Sequence, residues 1–280
     1  MDKQIYRFPN EIDKVEIGSI GAKIIVKRHD EEAIVAEYDN PRDTPEFAAT
    51  ISGKTLSLKE KLSLSIFGSK PAEGYSITVY LPGKCYEQLA VNTASGGAEI
   101  EGVTARDFDL NTASGEININ AYFENITIQS ASGNITLTNP TDKPARSIHT
   151  CTVSGNAKVV EYKAERFNLH SVSGRTVYSG ASGAGKVAVT SGTVEVSYSE
   201  WNADLDVSAI SGAVNLTLPK DSGMDISFNG ISGTVKTDLG NERGSFVNLG
   251  KGTSGEFGGE NKHKLNVNLT SGVVTAAQGS

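Results

Sequence analysis

A cysteine and a histidine are the residues best suited to chemistry in this sequence. Cys151 and His170 stand nineteen positions apart, and each comes three residues before a Ser-Gly pair. If the segments around these pairs stack in register, the thiol and the imidazole lie about 4.8 Å apart on an outer face. Such a pair could be an activated nucleophile or half of a metal site. The alternative is a ladder of small and polar residues without chemical function.

The same position in other repeats supports the ladder, since it holds residues of several polar types: Asn92, Asn111, Gln129, Ser208 and Asn229. No third group accompanies the Cys-His pair. The acidic residues of the repeats occur singly, as in Glu116 and Glu195, without the pairing that glycoside hydrolysis needs. Four scattered histidines do not form a recognisable zinc motif. The sequence therefore predicts no established catalytic group, no metal site and no cofactor.

A second set of candidates is aromatic and would bind rather than react. Its members lie at or between the repeats: Tyr122, Tyr162, Tyr178, Tyr198 and Trp201. If they are exposed together, they could form a strip that contacts a glycan or a peptide. The alternative is packing at the corners between strands, because large aromatic side chains are on average well buried.

The elements that would position these residues are short strands joined at Ser-Gly corners. The pairs begin at Ser95, Ser114, Ser132, Ser154, Ser173, Ser191, Ser211 and Ser232, which are 18–22 residues apart, and another begins at Ser271. Apolar residues flank the corners with a spacing of two, as in Val194 and Val196, which is typical of half-buried strands. Successive units stacked on one another would form a solenoid. We therefore predict an all-β, single-stranded-type β-helix with coils of 18–22 residues.

The repeats predict how the chain is divided. Residues 1–88 lack the Ser-Gly period and read as a β-rich N-terminal cap continuous with the solenoid, with strictly alternating runs at 55–58 and 62–66. Residues 89–280 hold the repeats and are irregular at 238–262. Because solenoid ends expose strand edges that can pair with another copy, a homodimer is also expected.

Composition limits the partners. The chain has 280 residues, a net charge of −7 and an isoelectric point near 5.2, which argues against a nucleic-acid partner. No apolar run of about 18 residues occurs, so no membrane span is predicted. The first residues contain no apolar signal segment. We therefore expect a cytoplasmic protein if the chain is complete, and a secreted or cell-surface protein if a leader or anchor has been removed.

The Ser-Gly units resemble those of the bacterial putative-adhesin family, whose function is unknown. Matching segments are Thr112-Ala113-Ser114-Gly115-Glu116-Ile117 and Ser130-Ala131-Ser132-Gly133-Asn134-Ile135, and Tyr80-Leu81-Pro82 before the first unit is also similar. The resemblance covers nearly the whole chain. It implies a β-helical fold and an adhesin-like role, and its motifs are structural.

Two classes of function remain after these observations. The first is a non-enzymatic binding or scaffold protein whose polar faces contact a protein or a glycan, since structural repeats are many and catalytic groups do not converge. The second is a carbohydrate-active enzyme on a β-helix, using Cys151 and His170 or a hidden acid cluster. An intracellular regulatory module is a further alternative, which rests only on the missing signal segment.

Overall fold

The computed structural model describes residues 2–40, 47–61, 75–240, 247–250 and 252–279. Across these ranges the chain forms strands and turns, so the predicted all-β class is confirmed. The strand predicted at residues 62–66 lies outside them. No helix long and apolar enough to cross a membrane occurs in the described part of the chain. The chain divides into two compact units, Met1–Thr141 and Asp142–Ser280, and the predicted division at residue 88 stays a prediction.

Unit 1 contains eleven strands among its described residues. They are β1 (Asp2–Phe8), β2 (Lys14–Ser19), β3 (Lys23–His29), β4 (Ile34–Asn40), β5 (Phe47–Ser52), β6 (Thr55–Glu60), β7 (Ser76–Pro82), β8 (Cys85–Thr93), β9 (Ala98–Thr112), β10 (Glu116–Ser130) and β11 (Asn134–Thr138).

The strands of unit 1 form two parallel stacks. One runs β6-β2-β8-β9-β10 and the other β7-β3-β9-β10-β11, so the long strands β9 and β10 take part in both. Three strands near the N-terminus are antiparallel additions: β5 pairs with β6, β4 with β7, and β1 with β4. The first 88 residues therefore combine parallel strands that continue the stacks with antiparallel strands that the repeat pattern does not contain.

Unit 2 contains fourteen strands in the part that the structure describes. They are β12 (Ala145–Thr152), β13 (Asn156–Val160), β14 (Ala164–Ser171), β15 (Arg175–Ala181), β16 (Ala184–Val189), β17 (Thr193–Tyr198), β18 (Leu205–Ala209), β19 (Ala213–Leu218), β20 (Ser222–Gly230), β21 (Thr234–Thr237), β22 (Val247–Leu249), β23 (Ser254–Gly258), β24 (Asn261–Leu269) and β25 (Val273–Gln278).

Unit 2 also forms two parallel stacks, and the order of their strands departs from the order of the sequence. One stack runs β12-β14-β16-β18-β24-β20 and the other β13-β15-β17-β19-β25-β21. Strand β24 therefore lies between β18 and β20, and β25 lies between β19 and β21, although β24 and β25 come last in the sequence. The prediction that successive repeats are adjacent is wrong at this point. Antiparallel β22 and β23 add to β21 and β20.

Apolar side chains in register form the core of unit 2. Leu169 pairs with Val187, Val187 with Val207, and Val267 lies between Val207 and Phe228. All five are at most 3% exposed. Their neighbours along each strand point outward, so the predicted alternation of buried and exposed residues is confirmed.

The serine of each Ser-Gly corner has a structural role. Ser173 Oγ donates a hydrogen bond to the carbonyl oxygen of Val153 at 3.1 Å, and Ser211 Oγ donates to that of Thr190 at 3.2 Å. In unit 1, Ser132 Oγ donates to the carbonyl oxygen of Ala113 at 3.0 Å. Each exposed hydroxyl therefore ties its own corner to the corner of the adjacent repeat.

The glycine that follows the serine is required by close backbone approach. A Cβ atom on Gly174 would lie 2.0 Å from the carbonyl oxygen of Gly155, and one on Gly192 would lie 2.4 Å from that of Gly174. Neither residue has a positive φ. Glycine is needed here because the corners stack too closely for a side chain.

Candidate functional site

The structure brings Cys151 and His170 together. Cys151 on β12 is in register with His170 on β14, and Cys151 Sγ lies 3.6 Å from His170 Nδ1. The residues beside them on each strand, Thr150, Thr152 and Leu169, are fully buried. Because these buried neighbours would turn outward on a one-residue slip, the core fixes the register that places the thiol against the imidazole.

The pair has few of the partners that a catalytic pair needs. In the described residues, the His170 ring has no hydrogen bond to a carboxylate, so nothing orients it as a general base. His149 lies two residues before Cys151, and its pKa is lowered by burial and by the neighbouring His170. No group of three His, Cys, Asp or Glu side chains that could hold a metal ion occurs in the described part. The catalytic role of Cys151 and His170 stays a prediction.

Four of the five aromatic candidates are buried. Tyr162 and Tyr178 are 0% exposed, Trp201 is 3% exposed and Tyr198 is 6% exposed. Tyr122, in unit 1, is half-buried. An exposed aromatic strip is therefore not supported for the four residues in unit 2, and the ligand-binding role of the set stays a prediction.

The buried aromatics form an internal cluster in which Tyr178 and Trp201 donate hydrogen bonds, whereas the buried Tyr198 Oη has no hydrogen-bond partner among the described residues. Tyr198 and Trp201 pack edge to face with ring centroids 4.8 Å apart. Tyr178 Oη donates a hydrogen bond to the carbonyl oxygen of Tyr162 at 2.5 Å, and Trp201 Nε1 donates to that of Gly223 at 2.8 Å. These contacts are typical of a structural cluster.

A groove of about 670 Å³ lies along the outer side of unit 2. Two rows of residues line most of it. The first row holds outward positions of neighbouring parallel strands, in the order His170, Ala188, Ser208, Asn268 and Asn229. The second row holds the residues just before the corner serines, in the order Thr190, Ile210, Thr270 and Ile231. The groove therefore crosses five neighbouring strands, and its lining depends on the insertion of β24.

The lining of this groove carries no Asp, Glu, Lys or Arg, although the chain has a net charge of −7. It offers the amides of Asn229 and Asn268 and the hydroxyl of Ser208. Ile210 and Ile231 contribute exposed aliphatic surface and are 54% and 67% exposed. Neutral hydrogen-bonding groups beside aliphatic carbon suit an uncharged polar ligand with some apolar surface.

A second groove, of about 260 Å³ in unit 1, contains a pair of carboxylates, Glu99 and Glu101. Glu99 and Glu101 form ion pairs with Lys23 at 3.0 Å and Lys27 at 3.7 Å. The hydrogen bond from Lys23 lowers the pKa of Glu99. A general acid of a glycosidase needs a raised pKa, so Glu99 does not fit that role.

The sequence identified part of the groove. Ser208, Asn229 and His170 belong to the predicted ladder three residues before the corner serine. Asn268 was missed although it also stands three residues before a corner serine, Ser271, and its place between Ser208 and Asn229 could not be predicted because its repeat is inserted out of sequence order. Ile210 and Ile231 were missed as well, although an aliphatic residue directly before an exposed corner serine is a usable signal.

Three solved structures share the fold of this chain. A "putative lipid binding protein" from Parabacteroides distasonis ATCC 8503 is 13% identical, with a TM-score of 0.60, over 98% of this chain and 96% of that chain. A "putative adhesin" from the same organism is 10% identical, with a TM-score of 0.56, over 98% and 97%. A "putative adhesin" from Bacteroides fragilis NCTC 9343 is 12% identical, with a TM-score of 0.51, over 98% and 97%.

At these identities the similarity shows the fold alone. No curated protein matches the sequence. A family model matches residues 12–276, which is nearly the entire chain. The chain therefore belongs to the Toastrack DUF4097 family.

Proposed function

We propose that this protein is a non-enzymatic binding protein and that the groove of unit 2 holds its ligand, an uncharged glycan. The absence of Asp, Glu, Lys and Arg from the lining of the groove carries the proposal. Asn amides and Ser and Thr hydroxyls can each donate and accept hydrogen bonds, as the hydroxyl groups of a sugar require. Aliphatic side chains such as Ile210 and Ile231 can cover the carbon face of a sugar ring.

The dimensions of the groove support an extended ligand. Five neighbouring strands span four strand spacings, which is about 19 Å at about 4.8 Å each. An extended peptide of about six residues has the same length, so a protein segment is the alternative ligand. The glycan is preferred because the lining offers outward side chains and not an unpaired strand edge within the described residues.

The scaffold supports binding by holding the lining in place. The first row of the groove stands on strands that are hydrogen-bonded on both sides from β14 to β24, so little order has to be gained on binding. We propose that these strands belong to β-helical coils of 18–22 residues, with residues 1–88 as a cap. Pairing of Leu169 with Val187 and of Val187 with Val207 supports this coil length.

Two similar structures carry the name "putative adhesin", and we extend an adhesive role to this chain as part of the proposal. The enzyme alternative has less support. The carboxylates of Glu99 and Glu101 are paired with lysines, and none of the carboxylates that the structure describes orients His170.

The test is a glycan array combined with a polysaccharide-cleavage assay on the same purified protein. We expect saturable binding to neutral glycans, little change between low and high salt, and no release of reducing ends. Binding restricted to acidic glycans would contradict the uncharged groove. Cleavage that is lost in Cys151→Ala would replace the binding proposal with an enzymatic one. If no glycan binds, the proposal of a glycan ligand is wrong and a peptide ligand is the remaining alternative.

A further inference from the structure

The distance between the side chains of Cys151 and His170 also matches that between two ligands of a zinc ion. Zinc lies about 2.3 Å from a cysteine sulfur and about 2.0–2.1 Å from a histidine nitrogen, in tetrahedral geometry. Two such ligands at the tetrahedral angle are about 3.6 Å apart. Cys151 Sγ and His170 Nδ1 are 3.6 Å apart in the structure. The two atoms are therefore already separated as neighbouring corners of a zinc coordination sphere.

We propose that Cys151 and His170 bind a thiophilic divalent cation such as zinc as a two-ligand site. The cation would displace the thiol proton to solvent and bond to the thiolate sulfur and to the Nδ1 lone pair, with water or another donor in its remaining positions. Both side chains are half-buried, so a cation can reach them. This inference does not depend on the glycan proposed for the groove.

The structure limits the site to two protein ligands. In the described part no third His, Cys, Asp or Glu joins the pair to hold a metal ion, so binding is weaker than in a closed four-ligand site.

The position of the site couples it to the groove. His170 is the end of the first row of groove residues, so a bound cation lies beside the groove. Its open coordination positions would accept an oxygen atom from a molecule held there. The remaining coordination positions of a cation held by two protein ligands are filled in this way by water or by a bound partner.

The test is a titration of the reduced 280-residue chain with Co²⁺, which replaces zinc in tetrahedral sites and reports thiolate bonding by near-ultraviolet absorption. We expect one thiolate–cobalt band per chain, which disappears when zinc is added. Cys151→Ser removes the band, and His170→Gln weakens binding by at least about tenfold, because losing a direct ligand costs no less than losing its supporting contacts. Cys85→Ser is the matched control and leaves the band unchanged, since that exposed thiol lies elsewhere.

Three results would overturn the proposal. One is the absence of a thiolate–cobalt band in the unaltered chain, which would mean that the 3.6 Å contact is only a thiol–imidazole hydrogen bond. The others are a band that survives in Cys151→Ser and a band that is lost in Cys85→Ser. Circular dichroism of each variant shows whether the strands are intact, so that a folding defect is not mistaken for lost binding. Glycan binding measured without metal tests the groove separately.

Discussion

Replacing Gly174 with alanine tests the idea that the corners of unit 2 stack backbone against backbone. The new Cβ atom would lie 2.0 Å from the carbonyl oxygen of Gly155, whereas real Cβ contacts stay above 3.0 Å. The two corners must therefore separate by about 1 Å. Because Gly174 does not have a positive φ, the strain comes from this contact and not from the conformation of residue 174 itself.

The size of the effect follows from what the separation disturbs. Forcing an extra methyl group into a packed interior costs about 1–3 kcal/mol. The same movement pulls on the hydrogen bond from Ser173 Oγ to the Val153 carbonyl at 3.1 Å, which joins the two corners. Losing this bond adds about 1 kcal/mol. We expect the free energy of unfolding to fall by about 2–4 kcal/mol.

The assay is urea unfolding followed by circular dichroism, with the midpoint compared between variants. Gly250→Ala is the control, because a Cβ atom there meets nothing closer than Thr253 Oγ1 at 3.7 Å and Gly250 does not have a positive φ. Its stability should change by less than about 0.5 kcal/mol. If Gly174→Ala unfolds at the same urea concentration as the unaltered chain, the close stacking of the corners is wrong.

Three further predictions concern unit 2. Tyr178→Phe should lower the free energy of unfolding by about 1–3 kcal/mol in urea, because the buried hydrogen bond from Tyr178 to the Tyr162 carbonyl is lost. The pKa of His149 is lowered from 6.5 in the folded chain. The contribution of His149 to the free energy of unfolding is therefore present above pH 6.5 and is lost as the pH falls through the lowered pKa. In His149→Asn the free energy of unfolding should therefore fall less steeply as the pH decreases through this acidic range. Cysteines placed at Ser208 and Asn268 should form a disulfide, because paired strands lie about 4.8 Å apart.

Each of these predictions has an outcome that contradicts it. An unchanged urea midpoint for Tyr178→Phe would mean that the hydrogen bond is absent or replaced by water. If the stability of His149→Asn and that of the unaltered chain depend on pH in the same way, the lowered pKa of His149 is contradicted. For the disulfide, a chain without Cys85 and Cys151 is needed, and cysteines at Ser208 and Asn229 are the control. If that control pair crosslinks instead, β20 and not β24 lies beside β18.

The sequence predicts the strands better than their arrangement. A spacing of two between apolar residues identifies the buried row that contains Leu169 and Val207, because alternation follows directly from strand geometry. The nineteen-residue separation of Cys151 and His170 likewise predicts their contact, since both stand at the same place in successive repeats. Local pattern is sufficient where neighbours in sequence are also neighbours in space.

The order of strands in unit 2 could not be read from the repeats. Each repeat has the same apolar rows, so β24 fits beside β18 as well as β20 does. The apolar pattern therefore does not show which of the two strands is the neighbour of β18. The groove depends on this choice through Asn268. Burial of Tyr178 and Trp201 was similarly undetermined, because the period of a strand shows which face a residue occupies but not whether a loop covers it.

The measurement that tests the binding groove most directly is a neutral-glycan array run in parallel on the unaltered chain, Ser208→Tyr and Thr217→Tyr. Ser208 and Thr217 are both exposed strand residues, on β18 and β19, and only Ser208 lines the groove. We expect that a tyrosine at Ser208 fills the groove and abolishes glycan binding, whereas a tyrosine at Thr217 leaves binding unchanged. Equal binding by all three proteins would show that the groove of unit 2 does not hold the ligand.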